Sequence, residues 1–497
     1  MMKHSHREGF LAAAHTEYQG LQNKGTFDEI ERTQSRTIPL PLLWVWTYKF
    51  DTNGFLTKYK ARICVRGDLQ MTEKDNYAAT LTIRTFRALM ALVAAFDLEI
   101  IQIDAINAFL NSEIDEETTT ECPKGFKTSG KVLLLRKALY GLKQAPQLWY
   151  NYLTKTLKQL GLQEVQGTNY VLTNDSIILF YFVDDIMLLH RPENRPQAER
   201  LINQLKEQCD IRVLPNANWF LGIRIVRERA TRRLWLCQDS YIDKLAEKFS
   251  ILTPGKAFPR TPLPIDPLLP YEETATPTQI LAFQRRMGSL NFPATITRPD
   301  IAKSCSILSQ FLRNPGPQHI EAADRAIRYL LGTKYLAIEF SGYPKDQGLL
   351  DIECYPFVCY SDAAFADHVD RKSSDGFLFT LYGGPINWKA SKQTTVTTSS
   401  TEAELLALSR TAKEVQAWQR FFKAINYQLD SRLSIHSDNT QTIRLLTSET
   451  PQLTTKLRHV DIHQHWLRQE IQEGRLNVEW VSTTDMKADG FTKPLIR

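Results

Sequence analysis

Residues 176–190 read SIILFYFVDDIMLLH, two near-continuous apolar runs on either side of Val183, Asp184 and Asp185. Runs of that length and composition suit buried strands, so the segment predicts a β-hairpin with both acids at or beside its turn. Adjacent anions between buried strands are costly unless a cation neutralises them. Read alone, the pair is equally well explained as polar turn residues. Outward along the chain, residues 98–110, LEIIQIDAINAFL, end a second strand-like run at Asp104. A sheet that sets Asp104 beside the hairpin would gather three carboxylates at one edge. Such a hard-oxygen site suits Mg²⁺, which keeps several waters and takes phosphate oxygens as further ligands. Two such ions would serve a phosphoryl transfer.

A second group of acids lies further on. FVCYSDAAFAD (357–367) puts Asp362 just after an apolar strand, and SSTEAELLAL (399–408) opens a helix containing Glu404. SIHSDN (434–439) puts Asp438 after another strand, and MKADGFTKPL (486–495) carries Asp489. Strand, helix, strand and C-terminal placement of four acids resembles the plan of the ribonuclease H fold. Glu402 and Glu404 both sit near the helix start, where an acid can simply complement the macrodipole. Glu404 is preferred as the site residue because LLAL follows it, and Glu402 is left as the helix-start acid.

At 497 residues the chain exceeds what one hydrophobic core usually supports, so several domains are expected. Hydrophobic (43%) and charged (23%) fractions are those of an ordinary folded protein, which excludes disordered and fibrous classes. A net charge of +6 permits a polyanionic partner without arguing for one. Seven scattered cysteines (Cys64, Cys122, Cys209, Cys237, Cys305, Cys354 and Cys359) form no CxxC pair and read as reduced intracellular thiols. No apolar stretch approaches the length of a membrane span. Residues 252–277 hold seven prolines, at 254, 259, 262, 264, 267, 270 and 277, and predict an extended connector. Before it, strand-like runs (WVWTYKF, ARICV, EIIQI, IILFYFV, NWFLGIRIV) alternate with helical patterns such as IRTFRALMALVAAF and LWYNYLTKTLKQL. After it come helical QRRMGSLNFPATI and HIEAADRAIRYLLGT, then a second strand-rich region from about residue 355. His459, His463 and His465 lack the cysteine pair or HExxH of a zinc site and read as solvated or nucleic-acid-facing. Lys155 and Lys158 are explained equally by a phosphate contact and by a solvated helix face.

In order, KYKARICVRGDLQ (58–70), QIDAINAFL (102–110), ALYGLKQAPQLWY (138–150), YFVDD (181–185) and WFLGI (219–223) resemble the fingers and palm of copia-type reverse transcriptases. TRPDIAKSCSILSQF (297–311) and AIRYLLGT (326–333) are similar to their downstream region. SDAAFAD, RKSSDGF, INWKASKQ, SSTEAELLAL, SDN, RHVDIHQHWLRQEI and KADGFTKPL resemble their nuclease. The resemblance implies a multidomain α+β chain: a right-hand polymerase of fingers, palm and thumb, followed by a ribonuclease H-like α/β domain. The expected divisions are 1–35, a truncated lead-in; 36–250, fingers and palm; 251–350, connector and helical thumb or connection; and 351–497, the ribonuclease H-like domain. Asp104, Asp184 and Asp185 would hold two Mg²⁺ ions for polymerisation, and Asp362, Glu404, Asp438 and Asp489 two for hydrolysis. Arg62 would grip the triphosphate, Phe109 would exclude a 2′-hydroxyl, and Gln144 would pack near nucleotide and template. Phe109 reads otherwise as a core aromatic and Arg62 as a solvated strand charge. Tyr140, Trp149 and Tyr150 are candidates for base stacking, although Trp149 fits core packing better. The implied partners are an RNA template, a DNA primer, an RNA–DNA hybrid and dNTPs, with no membrane. The implied location is a cytoplasmic particle with access to the nucleus.

The sequence departs from the family pattern at Phe182, where Tyr is usual, at Ala105, Ile106 and Asn107, where Val, Lys and Thr are usual, and in ETTTECPKGF (117–126). Nothing upstream resembles a capsid, protease or integrase, and the chain reads as a solo or truncated open reading frame. A catalytically silent relic and a nuclease-only remnant are the alternative readings.

Overall fold

The computed structural model describes residues 5–51, 54–72, 81–168, 170–251, 257–264, 266–341, 357–429, 433–448 and 458–495. The start of the connector, with Pro254, and the expected division at 350/351 lie outside the described residues, as do Cys354 and the side chain of His459. By its contacts the chain forms two compact units. Met1–Leu81, Ile101–Glu164 and Asn169–Pro215 make the first; Thr82–Ile100, Val165–Thr168 and Asn216–Arg497 make the second.

The first unit is built on a six-stranded sheet whose order is Ile211–Val213, Glu99–Ala105, Asp185–His190, Ile177–Phe182, Val171–Thr173, Gln163–Glu164. The apolar runs of 176–190 become the expected hairpin, with Asp185 paired to Phe182 across its turn. Val183 adopts a left-handed φ of 56° there. Its carbonyl accepts a hydrogen bond of 2.6 Å from the Trp149 indole, which pins the turn to the helix Ala145–Gln159. Trp149 is fully buried, so core packing is its role. Leu42–Phe50 and Leu56–Val65 form a two-stranded ribbon, and the helix Arg7–Asn23 packs on it. The described part of residues 1–35 thus holds a helix and the strand Phe27–Glu31. Phe10 of that helix meets Trp46, Tyr48 and Tyr59 of the ribbon edge-on at 5.0–5.5 Å.

Within the second unit, Trp219–Phe220, Ile223–Glu228, Arg233–Cys237 and Ile338–Ser341 form an antiparallel sheet. NWFLGIRIV, read above as one strand, is broken. Leu221 (φ 51°) and Gly222 (φ 74°) both take positive φ, the geometry of a two-residue hairpin turn. The connector has neither helix nor strand among its described residues before Pro277. Thr276 then caps the helix Pro277–Ile296 by accepting a hydrogen bond from the Gln279 amide. With Asp239–Lys248, Ala302–Ser309 and Pro317–Gly332 it encloses a core of Ile242, Phe283, Met287, Leu290, Ala323 and Ile327.

The remaining sheet of this unit runs Gly384–Lys392, Ser374–Leu381, Phe357–Ala364, Ser434–Ser437, Asn477–Trp480. The first three strands are antiparallel and the last two parallel to Phe357–Ala364 and to each other. The helix Ser400–Ala424 packs on it. Three antiparallel strands extended by two parallel ones, with this long helix between them, are the α/β arrangement the ribonuclease H resemblance implies.

One residue ties elements of this unit together. Arg87, in the helix Ile83–Phe96, is buried and donates to the carbonyls of Ile386 (2.8 Å), Thr295 (2.7 Å) and Ile296 (2.7 Å). Its guanidinium also lies 3.8 Å from the centre of the Trp388 ring. Thr295 and Ile296 end a helix, where carbonyls lack intrahelical partners and a cation complements the dipole. The six described cysteines are free. Among the described residues no helix is long and apolar enough to cross a membrane.

Candidate active sites

The hairpin turn and the end of the Glu99–Ala105 strand meet in the first sheet. The Ala105 amide donates to the Asp184 carbonyl at 2.8 Å, so Asp104 comes beside Asp184 and Asp185 as neighbouring strand ends. Burial, reinforced by the charges of Asp184 and Asp104, pushes the Asp185 carboxyl up to about 6. The two neighbouring carboxylates add to what burial does, since each disfavours the ionised form of Asp185. Asp104 carries an ion pair with Arg212 at 2.9 Å.

Arg62, Tyr140 and Phe109 form a stack in the same unit. The Arg62 guanidinium lies 4.7 Å from the Tyr140 ring centre, and Phe109, buried, meets Tyr140 edge-on at 4.8 Å. Two glycines make this possible. The Val65 amide donates to the Tyr140 carbonyl at 2.7 Å. Gly141 has a φ of 93°, and a Cβ there would lie 2.2 Å from the Val65 oxygen. A Cβ on Gly67 would lie 1.9 Å from the Gly141 oxygen, so the YGLKQ segment crosses the Arg62 strand in direct backbone contact. Gln144 is buried and accepts 2.6 Å from Gln70, while its own amide nitrogen has no partner. Tyr150 packs on Tyr170 and donates its hydroxyl to Glu164, which also holds Lys158 at 2.5 Å. Tyr150 and Lys158 thus have partners inside the protein.

In the second sheet, Asp362 lies within the strand Phe357–Ala364, two residues before its end, and not just after it. Asp438 directly follows Ser434–Ser437. Asp362, Glu404 and Asp438 each bring one carboxylate oxygen within 4.8 Å of the others, the only such cluster among the described residues. Asp362 accepts a short hydrogen bond from the Thr492 hydroxyl, and Asp438 one of 2.9 Å from Thr483. One carboxylate oxygen of Glu404 is buried without a partner. Glu402 points elsewhere: it accepts from the Thr398 amide (2.6 Å) and hydroxyl (2.8 Å), while Ser399 caps the helix. Asp489 stands at the start of the short helix Asp489–Thr492 and pairs with Lys493 at 2.6 Å, outside the cluster. His463 pairs with the Ser409 hydroxyl at 2.8 Å, and exposed His465 lies 3.5 Å from Asp461.

The donor set fits a divalent cation. Burial, then the charges of Asp362 and Asp438, raise the Glu404 carboxyl well above its usual range. Burial, opposed by the Thr492 hydrogen bond, brings Asp362 up to about 6. Three acids with an oxygen each within 4.8 Å of the others, and a Glu404 oxygen buried without a partner, fit a hard cation.

A pH-dependent response to metal follows. A carboxyl whose folded pKa is raised contributes stability below its ordinary pKa, and that contribution is lost as pH rises through the folded value. For Asp362 and Asp185 the loss spans roughly pH 4 to above 6. A divalent cation held by these acids would relieve the repulsion only where they are ionised. Saturating Mg²⁺ should therefore raise the melting temperature by on the order of 5 °C at pH 7.5, and by far less at pH 5. Equal shifts at the two pH values, read by circular dichroism, would exclude these carboxyls as the ligands.

The family model described as reverse transcriptase (RNA-dependent DNA polymerase) matches residues 25–262. The chain is 32% identical to the retrovirus-related Pol polyprotein from transposon TNT 1-94 of Nicotiana tabacum, covering 100% of this chain and 37% of that protein. It is also 32% identical to the putative transposon Ty5-1 protein of Saccharomyces cerevisiae, covering 63% of this chain and 100% of that one. Among solved structures, a foamy viral protease-reverse transcriptase in complex with RNA/DNA hybrid aligns with 95% of this chain and 54% of its own, at 14% identity and a TM-score of 0.49. The chain spans about a third of the length of the Pol polyproteins it matches. It belongs to the copia-type retrotransposon Pol family, of which it carries the reverse transcriptase domain and the nuclease-fold region that follows.

Proposed function

We propose that the chain is an RNA-directed DNA polymerase with ribonuclease H activity, extending a DNA primer on an RNA template with dNTPs and then degrading the RNA of the hybrid. The observation that carries this reading is a convergent set of acids, Asp362, Glu404 and Asp438, together with Asp104, Asp184 and Asp185 on neighbouring strands of another sheet, within one member of this family. Residues 36–250 serve as fingers and palm, 251–350 as connector and thumb or connection, and 351–497 as the nuclease. The work takes place in a cytoplasmic particle with access to the nucleus.

Asp104, Asp184 and Asp185 would hold Mg²⁺ in the polymerase, and Asp362, Glu404, Asp438 and Asp489 would hold it in the nuclease. Bound there, it would supply charge that neutralises phosphate oxygens and activates a hydroxyl or water. The protein's own groups do the positioning. Arg62, a permanently charged fork of donors, grips the triphosphate, and its seat on the Tyr140 ring fixes the guanidinium's height. Phe109, wedged against Tyr140, forms a rigid floor under the sugar that leaves no room for a 2′-hydroxyl. Gln144, held by Gln70, keeps an amide donor beside nucleotide and template. In the nuclease, the Thr492 and Thr483 hydroxyls orient Asp362 and Asp438.

The test is one purified preparation assayed for two activities: primer extension on an RNA template, and cleavage of labelled RNA annealed to DNA. Both should need Mg²⁺ and stop with EDTA. A nuclease-only reading has one observation in its favour, since the nuclease acids converge within 4.8 Å while the polymerase acids form no such cluster among the described residues. Cleavage without extension by folded protein would establish that second reading.

A further inference from the structure

We propose that Arg212 is a positioning residue of the polymerase site: it holds Asp104 while the site is metal-free and gives it up when divalent ions bind. The proposal rests on the reading of Asp104, Asp184 and Asp185 as metal ligands. Arg212 and Asp104 are direct partners in the antiparallel register of Ile211–Val213 and Glu99–Ala105. The Arg212 Nη2 donates to Asp104 Oδ2 at 2.9 Å. On the other side of the Glu99–Ala105 strand lies the hairpin with Asp184 and Asp185. Asp104 thus stands between a cation on one neighbouring strand and two anions on the other.

The nuclease site shows what the alternative looks like. There Asp362 and Asp438 accept from hydroxyls, Glu404 accepts from the Ala363 backbone while one of its oxygens has no partner, and the nearby cation, Lys493, pairs with the fourth acid, Asp489. Those three carboxylates converge. In the polymerase set the cation is on one of the three acids, and convergence is absent among the described residues. Arg212 is 64% exposed and Asp104 29%, so the pair is held weakly, and the arginine stays solvated when it swings away. A divalent ion places twice the charge of a guanidinium at the carboxylate and displaces it. Arg212 supplies the missing positive charge in the metal-free chain and makes the polymerase site take up metal less readily than it otherwise would.

The test is Mn²⁺ binding to the full chain, followed by the electron paramagnetic resonance signal of free Mn²⁺. A Glu404→Gln, Asp362→Asn background silences the nuclease site. Arg212→Gln in that background should bind Mn²⁺ about two- to five-fold more tightly, as expected for release from an exposed ion pair. Arg212→Lys, which keeps the charge, should stay nearer the parent. Unchanged or weaker binding by Arg212→Gln, with a melting curve matching the parent, would overturn the proposal. Asp184→Asn, Asp185→Asn separates the two levels of the argument. If that variant loses Mn²⁺ binding while Arg212→Gln gains none, only the role of Arg212 fails. If it binds as the parent does, the metal-site reading fails and takes this proposal with it.

Discussion

Asp184→Asn should reduce primer extension by roughly a thousand-fold or more while hybrid cleavage continues, and Glu404→Gln should do the reverse. Removing a single electrostatic stabiliser already costs roughly a hundred- to a thousand-fold, and on the proposed reading each of these changes would also remove a metal ligand. The reciprocity follows from construction, because the two acid sets stand on different sheets with separate hydrogen bonds. The Asp184 backbone carbonyl, which accepts from Ala105, is untouched by the substitution, so the hairpin remains anchored. Glu404 lies one turn inside a helix capped by Ser399, and Gln has the same length. Loss of both activities in either variant would mean that the sites are not independent.

The second large effect is on stability. Arg87→Met should lower the stability of the second unit by about 3 kcal/mol. Three carbonyls lose a charged donor, each such bond being worth roughly 1.5–3 kcal/mol, while the cost of burying the guanidinium, which burial pushes down to about 9, is recovered in part. Methionine fills much of the volume against Trp388 but cannot donate. A loss of that size shifts the melting midpoint of a unit this large by about 5 °C. The check is thermal inactivation of hybrid cleavage beside a circular dichroism melt. A midpoint within about 1 °C of wild type would show that the carbonyls find other partners.

Arg87 also marks where sequence reading stopped. In IRTFRALMALVAAF it stands three residues after Arg84 and looks like one of a pair of solvent-facing charges, yet it is buried. Its carbonyl partners come from near residues 295 and 386, and no local pattern encodes contacts at that distance. The hairpin of 176–190 was legible because apolar runs and an acidic turn are local signals. The same holds for the acids at the ends of strands and for the helix opened by SSTEAELLAL. Glu404 could be separated from Glu402 only by the pattern after it; the physical distinction, that Glu402 is occupied by Thr398, depends on the fold of the preceding loop. The break at Leu221–Gly222 was missed because a leucine at positive φ gives no warning. Gly67 and Gly141 offered a signal, since a glycine in a strand-like context often marks close backbone approach. The Arg212–Asp104 pair depends on strand register and had no signal at all.

The most direct measurement of the central claim is Mg²⁺-dependent extension of oligo(dT) on poly(rA) by the purified full-length chain. Radiolabelled dTTP incorporation that grows with time, and stops with EDTA, is the result predicted here. A folded, metal-loaded preparation that cleaves hybrid RNA yet incorporates no nucleotide would contradict it.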